Sequence, residues 1–341
     1  MDRAPCVLVV LLNWRTAPMT LRAAEAGLAA MHYLGAAMPG VLTEMVIVDN
    51  DSGDGSYEAI RDSAQARGWT DGGTVRVIQS GRNGGFGAGN NVGIKAGLSD
   101  GRQPDLIYLL NSDAFPEPDA LLALIRALEA DPGAGIAGSF IYGEDGAPHE
   151  TAFRFPSVLS EFEESASTGP ISRLLARWRV PLPIPQVTTR LDWLAGASMM
   201  IRRGVLDRVG MFDEAFFLYF EETELCLRAA RAGFGTLYVP SSRVMHIGSV
   251  STGMKSWDQV PDYWFDSRLR YFTKSHGAAY AVLCSMAHIL GAVVQKLRRP
   301  AKRRQAQGQL RRILSHHRRA LMAGRTQRIG TTPLRDMKGK S

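Results

Sequence analysis

The 341-residue sequence has little cysteine, and Cys6, Cys226 and Cys284 are too scattered for a disulfide framework or a cysteine metal cluster, which suits a reducing compartment. It opens without the pattern of a secretory leader. The apolar run 6–12 passes straight into Asn13-Trp14-Arg15 with no small-residue cleavage pattern, and so reads as a first strand. Acids are almost missing from the far end: residues 295–341 hold 15 Lys/Arg against Asp336 alone, a charge of +14 in a chain of net +7, which leaves the body at −7. A basic tail on an acidic body argues against a nucleic-acid-binding globular surface and for a local device that meets phosphate, either lipid headgroups or RNA; the expected partner is an anionic membrane surface, with no nucleic acid. Internal repeats and low-complexity tracts are lacking before the tail. A hydrophobic content of 45% excludes disorder throughout and suffices for one large α/β domain with an appendage.

What is present is a βαβ rhythm. Residues 6–12, 45–49, 75–79 and 106–110 are short Val/Ile/Leu-rich runs ending in polar or glycine residues, as buried parallel strands do. Helical patterns lie around 19–31, 57–66, 90–97 and 118–129. The rhythm predicts a doubly wound, Rossmann-like sheet, mostly parallel and flanked by helices, with ligands beyond the carboxyl ends of its strands. After Pro132 the pattern loosens. Residues 157–185 are broken by Gly169-Pro170 and by three prolines at 181–185, and read as an excursion or lid; strand-like order returns at 191–201 and 236–239, with a helix near 204–209 and an acidic segment at 217–231.

Four clusters carry polar chemistry. The second strand ends in Val48-Asp49-Asn50-Asp51-Ser52-Gly53-Asp54, where Asp49 is expected to face the crevice and could accept from a uracil or thymine N3–H; Asp51 and Asp54 also suit an Asx-rich turn. After the third strand, Gly81-Arg82-Asn83-Gly84-Gly85-Phe86-Gly87-Ala88-Gly89-Asn90-Asn91 would bring backbone N–H groups close to a ligand, with Asn90 or Asn91 capping the helix that follows. Its G-x-G-x-G spacing after a third strand is not the dinucleotide fingerprint. The fourth strand runs into Asn111-Ser112-Asp113, an acidic tip able to offer oxygen to a hard cation; the alternative is a plain strand-to-turn residue. Last, Glu221, Glu222 and Glu224 crowd beside an aromatic run. Glu224 and Arg228, spaced i, i+4, are expected to pair, leaving Glu221 and Glu222 to be explained either by chemistry or by the positive end of a helix.

Taken in order, Asn13-Trp14, the Asp49 cluster, Asn83 to Asn91, Leu110-Asn111-Ser112-Asp113, Trp193-Leu194-Ala195-Gly196-Ala197, Phe212-Asp213-Glu214 and Glu221-Glu222-Thr223-Glu224-Leu225-Cys226-Leu227-Arg228 strongly resemble glycosyltransferase family 2, in particular its bacterial rhamnosyltransferase-like and galactofuranosyltransferase-like members. The resemblance spans roughly residues 6–277. It implies a GT-A fold and inverting transfer of a sugar, rhamnose by the same resemblance, from a dTDP- or UDP-linked donor to a saccharide or lipid-linked saccharide in cell-surface polysaccharide synthesis. It implies Asn13, Asp49, Asp51, Asn83, Gly85, Phe86, Asn90, Asn91, Asn111, Ser112 and Asp113 on the nucleotide-sugar side. Trp193, Gly196 and Glu214 match positions near the acceptor. A divalent cation, manganese or magnesium, would be held by Asp113 and His246, with Asn111 standing where the family's metal motif has its first acid. Glu222 falls where the family has its catalytic Asp, with Glu221 beside it as the alternative base.

Two other classes remain open at this point: a catalytically silent relative that binds or scaffolds, suggested by Asn111 and Glu222, and a nucleotide-dependent oxidoreductase, whose glycine fingerprint the first strand lacks. The expected division is residues 1–277 as catalytic domain and 278–341 as a helical, basic, membrane-associating extension, in a cytoplasmic protein peripheral at the inner face of the plasma membrane. Residues 278–294 are apolar but fall short of the roughly 20 residues that cross a bilayer, so they are expected to lie in the interface.

Overall fold

β-Branched and leucine-rich runs bounded by polar residues form the strands expected of them. The structure, a computed structural model, describes residues 4–248, 260–298 and 315. In chain order it has β1 (Cys6–Asn13), α1 (Ala17–Ala37), β2 (Leu42–Asp49), α2 (Ser56–Ala66), β3 (Val75–Gln79), α3 (Gly85–Ala96), β4 (Leu106–Asn111), β5 (Ala114–Pro116), α4 (Ala120–Ala130), β6 (Ala134–Tyr142) and β7 (Ala152–Phe153). There follow α5 (Val158–Ala166), α6 (Gly169–Leu174), β8 (Thr189–Leu191), β9 (Trp193–Leu194), β10 (Ser198–Arg202), α7 (Arg203–Val209), α8 (Glu221–Arg231), β11 (Gly235–His246), α9 (Asp262–His276) and α10 (Ala278–Arg298).

The main sheet runs β3-β2-β1-β4-β10-β6-β11-β5, with β8 also paired to β11. The β3-β2-β1-β4 block and the β6-β11 pair are parallel, while β10 is antiparallel to both β4 and β6. The sheet is thus mixed and mostly parallel, as expected. Alternation along β1 sends Val7, Val9 and Leu11 to a core with α1 and α4, and Leu8 and Val10 to a second core with α3, α7 and α8. Tyr108, Ser198, Ser139 and Ser242 link their hydroxyls at 2.8, 2.6 and 2.7 Å across four adjacent strands, and Ser242 ends the chain on the Ala120 carbonyl. Each buried hydroxyl is thereby satisfied and the antiparallel insertion of β10 is pinned in register.

The glycine-rich run departs from its expected role as a loop. Helix α3 begins at Gly85, five residues before Asn90, so neither Asn90 nor Asn91 is a cap; both lie buried inside the helix. Gly85, Gly89 and Gly93 fall at i, i+4 and i+8 on one face. A Cβ on Gly89 would stand 2.5 Å from Leu12, and one on Gly93 2.4 Å from Val10. Gly89 and Gly93 let the helix backbone lie directly on β1. Further along, β6 was not visible in the sequence, β11 runs for 12 residues where 236–239 suggested four, and 157–185 is chiefly helical.

Downstream, α9 and α10 pack on the body through Phe216, Leu227, Tyr271, Phe272, Ala281 and Cys284. Beneath α10, Glu161 of α5 accepts from Arg268 at 2.5 and 3.0 Å and meets His288 at 3.1 Å. Burial alone would raise the Glu161 carboxyl, but the Arg268 charge and the His288 contact outweigh it and hold the group below its ordinary value.

The stripe gives a test. Gly93→Ala gains roughly 1 kcal/mol of helix propensity but must push two β-branched valines, a strain of roughly 1–3 kcal/mol. Urea unfolding of the variant should show a net loss of about 1 kcal/mol, whereas a stabilised variant would mean that α3 does not lie on the sheet as described.

Candidate active site

The carboxyl ends of β1, β2 and β4 open on one side of the sheet, where the polar clusters gather. Asn13, fully buried, donates to Asp49 at 2.7 Å and to Ser52 at 3.2 Å, and its amide oxygen accepts from Thr16 and Thr20. Asp49 also accepts from the Ser52 hydroxyl at 2.5 Å and the Ser52 backbone N–H at 3.1 Å. Both its oxygens are taken by protein donors and its exposure is 0%, so Asp49 orders the loop rather than facing an open crevice. Asp51, two residues on, is exposed and adopts φ of 55°. Arg15, which the sequence reading passed over, is exposed at the same edge, with its Nε donating to the Ser52 carbonyl at 2.9 Å.

Asn50 connects this edge to the next. Its amide nitrogen donates to Asn83 Oδ1 and to the Gly85 carbonyl, both at 3.1 Å, while its own Oδ1 is buried without a partner. Gly85 has φ of 86°, and a Cβ there would lie 1.7 Å from the Phe217 carbonyl oxygen, so only glycine fits. Phe86 then accepts this docking through its N–H, which donates to that carbonyl at 3.0 Å. Asn91 is wholly engaged: it donates to the Phe212 carbonyl and Glu214 and accepts from Phe212 N–H. Glu214 in turn takes Arg82 and Lys95, so Asn91 and Glu214 serve to clamp the 212–214 turn onto α3.

Asp113 and His246 come together. Antiparallel pairing of β5 with β11 sets His246 opposite Ala114, and its Nε2 lies 3.0 Å from Asp113 Oδ1. His149, unmarked in the sequence, stacks edge-on to His246 at 6.3 Å between ring centroids. Ser112 accepts from the Thr16 hydroxyl at 3.2 Å, and the Asn111 N–H donates to the Ala197 carbonyl. One carboxylate oxygen and one imidazole nitrogen are donors that Mg²⁺ or Mn²⁺ accepts, which leaves most of an octahedral shell for diphosphate oxygens and water. Among the described residues no cluster of three or more such side chains exists, so the pair fits a cation shared with a substrate rather than a closed protein cage.

The third cluster forms around Gly196. A Cβ there would meet the Phe86 ring at 3.1 Å, and its backbone N–H is hydrogen-bonded to the Glu222 carboxylate. Trp193 stacks on Phe153 at 4.2 Å and donates to the Arg154 carbonyl, bracing the strand that leads to Gly196. Glu221 and Glu222 open α8 directly after Tyr219 and Phe220, which hold φ of 71° and 67°. Left-handed backbone costs roughly 1–2 kcal/mol per non-glycine residue, a local strain that fixes where the two acids point. Arg228 binds Glu224 at 2.8 and 2.9 Å, as its spacing suggested, and its remaining nitrogens donate to the Val209, Gly210 and Met211 carbonyls. Lys274 also pairs with Glu224, at 2.8 Å. The cations are thus spent on Glu224, and among the described residues no ion pair reaches Glu221 or Glu222. One oxygen of each is buried without a hydrogen-bond partner. Burial pushes Glu222 up to about 7, and burial together with the Glu222 charge pushes Glu221 well above the ordinary carboxylate range.

Comparison with known proteins gives this arrangement a family. A profile described as "Glycosyltransferase like family 2" matches residues 5–261. The chain belongs to that family. It is a glycosyltransferase, and the oxidoreductase alternative falls with that finding. An N-acetylglucosaminyl-diphospho-decaprenol L-rhamnosyltransferase of Mycobacterium tuberculosis is 31% identical over 225 residues, 61% of this chain and 68% of the relative. Rhamnosyltransferase WbbL of Escherichia coli is 32% identical over 165 residues, 48% of this chain and 60% of that one. Of the solved structures, the mannosyltransferase PcManGT from Pyrobaculum calidifontis, in complex with GDP-Man and Mn²⁺, superposes with a TM-score of 0.54 at 14% identity, over 91% of this chain and 81% of that one. GalNAc-T7 with UDP, GalNAc and Mn²⁺ gives 0.52 at 16% identity, over 80% of this chain and 48% of that one. These likenesses fix the GT-A fold.

The raised carboxyl carries a stability signature. Its folded value of about 7 lies above the ordinary 4.5, so the folded state holds the proton longer than the unfolded chain. The associated stability is full below pH 4.5 and is lost as pH rises through about 7. Urea midpoints of the wild type should therefore fall across that window more than those of Glu222→Gln; equal slopes would show that Glu222 titrates as an ordinary surface acid.

Proposed function

We propose that this glycosyltransferase inverts the anomeric centre of its donor and moves a deoxyhexose, rhamnose, from a dTDP- or UDP-linked sugar to a hydroxyl of a lipid-linked saccharide. The names of both relatives support the sugar, and that of the Mycobacterium tuberculosis relative supports the lipid-linked acceptor. The observation that carries the reading is the pair Glu221 and Glu222 at the mouth of α8, each with one buried oxygen that has no hydrogen-bond partner and neither met by an ion pair among the described residues, joined through Gly196 and Ala197 to the strand end that bears Asn111 and Asp113.

In this reading Glu222 is the general base. As the acceptor oxygen attacks the anomeric carbon, its proton passes to the Glu222 carboxylate while the bond to the nucleoside diphosphate breaks on the opposite face. One displacement inverts the centre and leaves no covalent sugar on the protein. A value near 7 keeps a useful fraction of Glu222 ionised at neutral pH yet basic enough to take the proton. Glu221, pushed well above the ordinary carboxylate range by burial and the Glu222 charge, limits the pair to one negative charge and orders the turn.

On the donor side, Asp51, Asn83, Gly85 and Phe86 stand at the edge where the nucleoside would lie, with Asn13, Asp49, Asn90, Asn91 and Ser112 holding that edge in shape. Asp113 and His246, with Asn111 beside them, would hold a divalent cation, manganese or magnesium. Such a cation neutralises the diphosphate and the charge that builds on it as it leaves. Trp193 and Gly196 shape the acceptor side, and Glu214 supports it from the 212–214 turn clamped onto α3. The scarcity of cysteine supports a cytoplasmic setting, facing the donor pool.

The test is transfer and donor binding measured side by side. Glu222→Gln keeps shape but removes the proton acceptor, so transfer from dTDP-rhamnose should fall by about 10²–10⁴-fold with donor affinity nearly unchanged. Asp113→Asn should instead weaken the manganese-dependent part of donor binding. Full transfer by Glu222→Gln with loss in Glu221→Gln would move the base one residue back. Loss of stability in both variants without loss of transfer would reduce the pair to a helix cap.

A further inference from the structure

Helix α10 has two faces of opposite character. On one, Ala281, Cys284, Ser285, Gly291 and Ala292 are buried against the body, and a Cβ on Gly291 would lie 2.6 Å from the Phe162 carbonyl, so α10 and α5 meet backbone to backbone. Ser285 and His288 on this face reach the buried Arg268 and Glu161. On the other face Val282, Leu283, Met286, Leu290, Val293 and Leu297 are exposed, from 42% at Val282 to 79% at Leu297. At 3.6 residues per turn these six fall within an arc of roughly 100°, one continuous apolar stripe.

Residues 278–297 have a mean hydropathy of 1.6, long and apolar enough by that measure to cross a bilayer, yet only 28% of that window is buried within the fold. Crossing would strip His288 and Ser285 from the buried ionic cluster and part the α5 contact, leaving polar groups unmatched. Lying flat keeps both. No acid occurs in α10, and the sequence beyond it, residues 299–341, outside the described residues, brings 13 Lys/Arg against Asp336 alone. An apolar stripe continued by cationic sequence is the chemistry of an anionic lipid surface; a nucleic acid would leave the stripe uncovered.

We propose that the outward stripe of α10 seats the protein on an anionic bilayer, inserted to the depth of the headgroup boundary and parallel to the membrane plane. The inner face of α10 packs on Tyr271 and Phe272, and Phe220, the residue before the Glu221–Glu222 pair, packs on the same cluster. The helix therefore fixes the height of the catalytic turn above the lipid. The proposal does not depend on which sugar is transferred.

The experiment is co-sedimentation of the full chain with phosphatidylglycerol-containing vesicles and with phosphatidylcholine vesicles, for the wild type and for Leu283→Glu/Met286→Glu/Leu290→Glu. All three side chains point away from the fold, and circular dichroism with a soluble-acceptor transfer assay checks that the body is intact. The wild type should partition onto anionic vesicles and the triple variant at least about tenfold more weakly, with transfer to a soluble acceptor unchanged. Equal binding by both proteins would overturn the proposal, as would equal binding to neutral vesicles. So would a wild type that stays in solution as a dimer while the triple variant is a monomer, since the stripe would then be covered by a second copy.

Discussion

A buried Glu221 beside a partly buried Glu222, with no ion pair to either among the described residues, is the constraint around which this molecule is arranged. Ionising either costs solvation that nearby backbone N–H groups return only in part, and ionising both adds their mutual repulsion, so the pair keeps a proton at a pH where ordinary glutamates have lost theirs. That state survives only if the nearby cations are occupied. Arg228, one helical turn from Glu224, is saturated by that carboxylate and three carbonyls, and Lys274 bridges Glu224 to Asp213. The Asp213 carboxyl is raised by burial but brought down to about 2 by Lys274, Ala215 and Arg270, so it remains a charged anchor for α9.

The surrounding fold serves to place that pair. Tyr219 and Phe220 turn the chain left-handed into α8, and the turn is held because the Phe217 carbonyl is received by the bare backbone of Gly85 at the start of α3. Helix α3 can present Gly85 there because Gly89 and Gly93 seat it directly on β1. The same sheet carries β4 to Asn111 and Asp113, while Asn111 and Gly196 belong to paired segments whose next neighbour is Glu222. The strand end at Asn111–Asp113 and the turn at Glu221–Glu222 are thus linked through short contacts of the 196–197 backbone.

Much of this was legible in the sequence where local pattern and tertiary role coincide. The apolar runs of β1 to β4, the Glu224–Arg228 pairing and the gathering of polar residues at strand ends follow from periodicity and spacing. What escaped notice depends on close packing. Strand β6 carries Gly135 and Gly138, which weaken a strand pattern, but a Cβ at either would stand 2.4 Å from Val205 or Leu194, so the neighbours demand glycine. The run 84–91 looked like a loop because Gly84 and Gly87 blur the i, i+4 spacing of the helix. Asp49 suggested a ligand group until its two oxygens were seen to be filled by Asn13 and Ser52. The pairing of Asp113 with His246, expected from the family resemblance, arises from strand pairing across more than a hundred residues that local spacing does not show, and His149 beside them had no signal in the sequence.

The central claim is that Glu222 titrates near neutrality because it is desolvated beside a protonated neighbour. Carbon-13 NMR of protein labelled at the glutamate side-chain carboxyls, with Glu222→Gln and Glu221→Gln to assign the signals, measures this directly. The account predicts one carboxyl resonance titrating at about 7, lost in Glu222→Gln, and a second that stays protonated well above the ordinary carboxylate range. Two resonances that both titrate near 4.5 would contradict it.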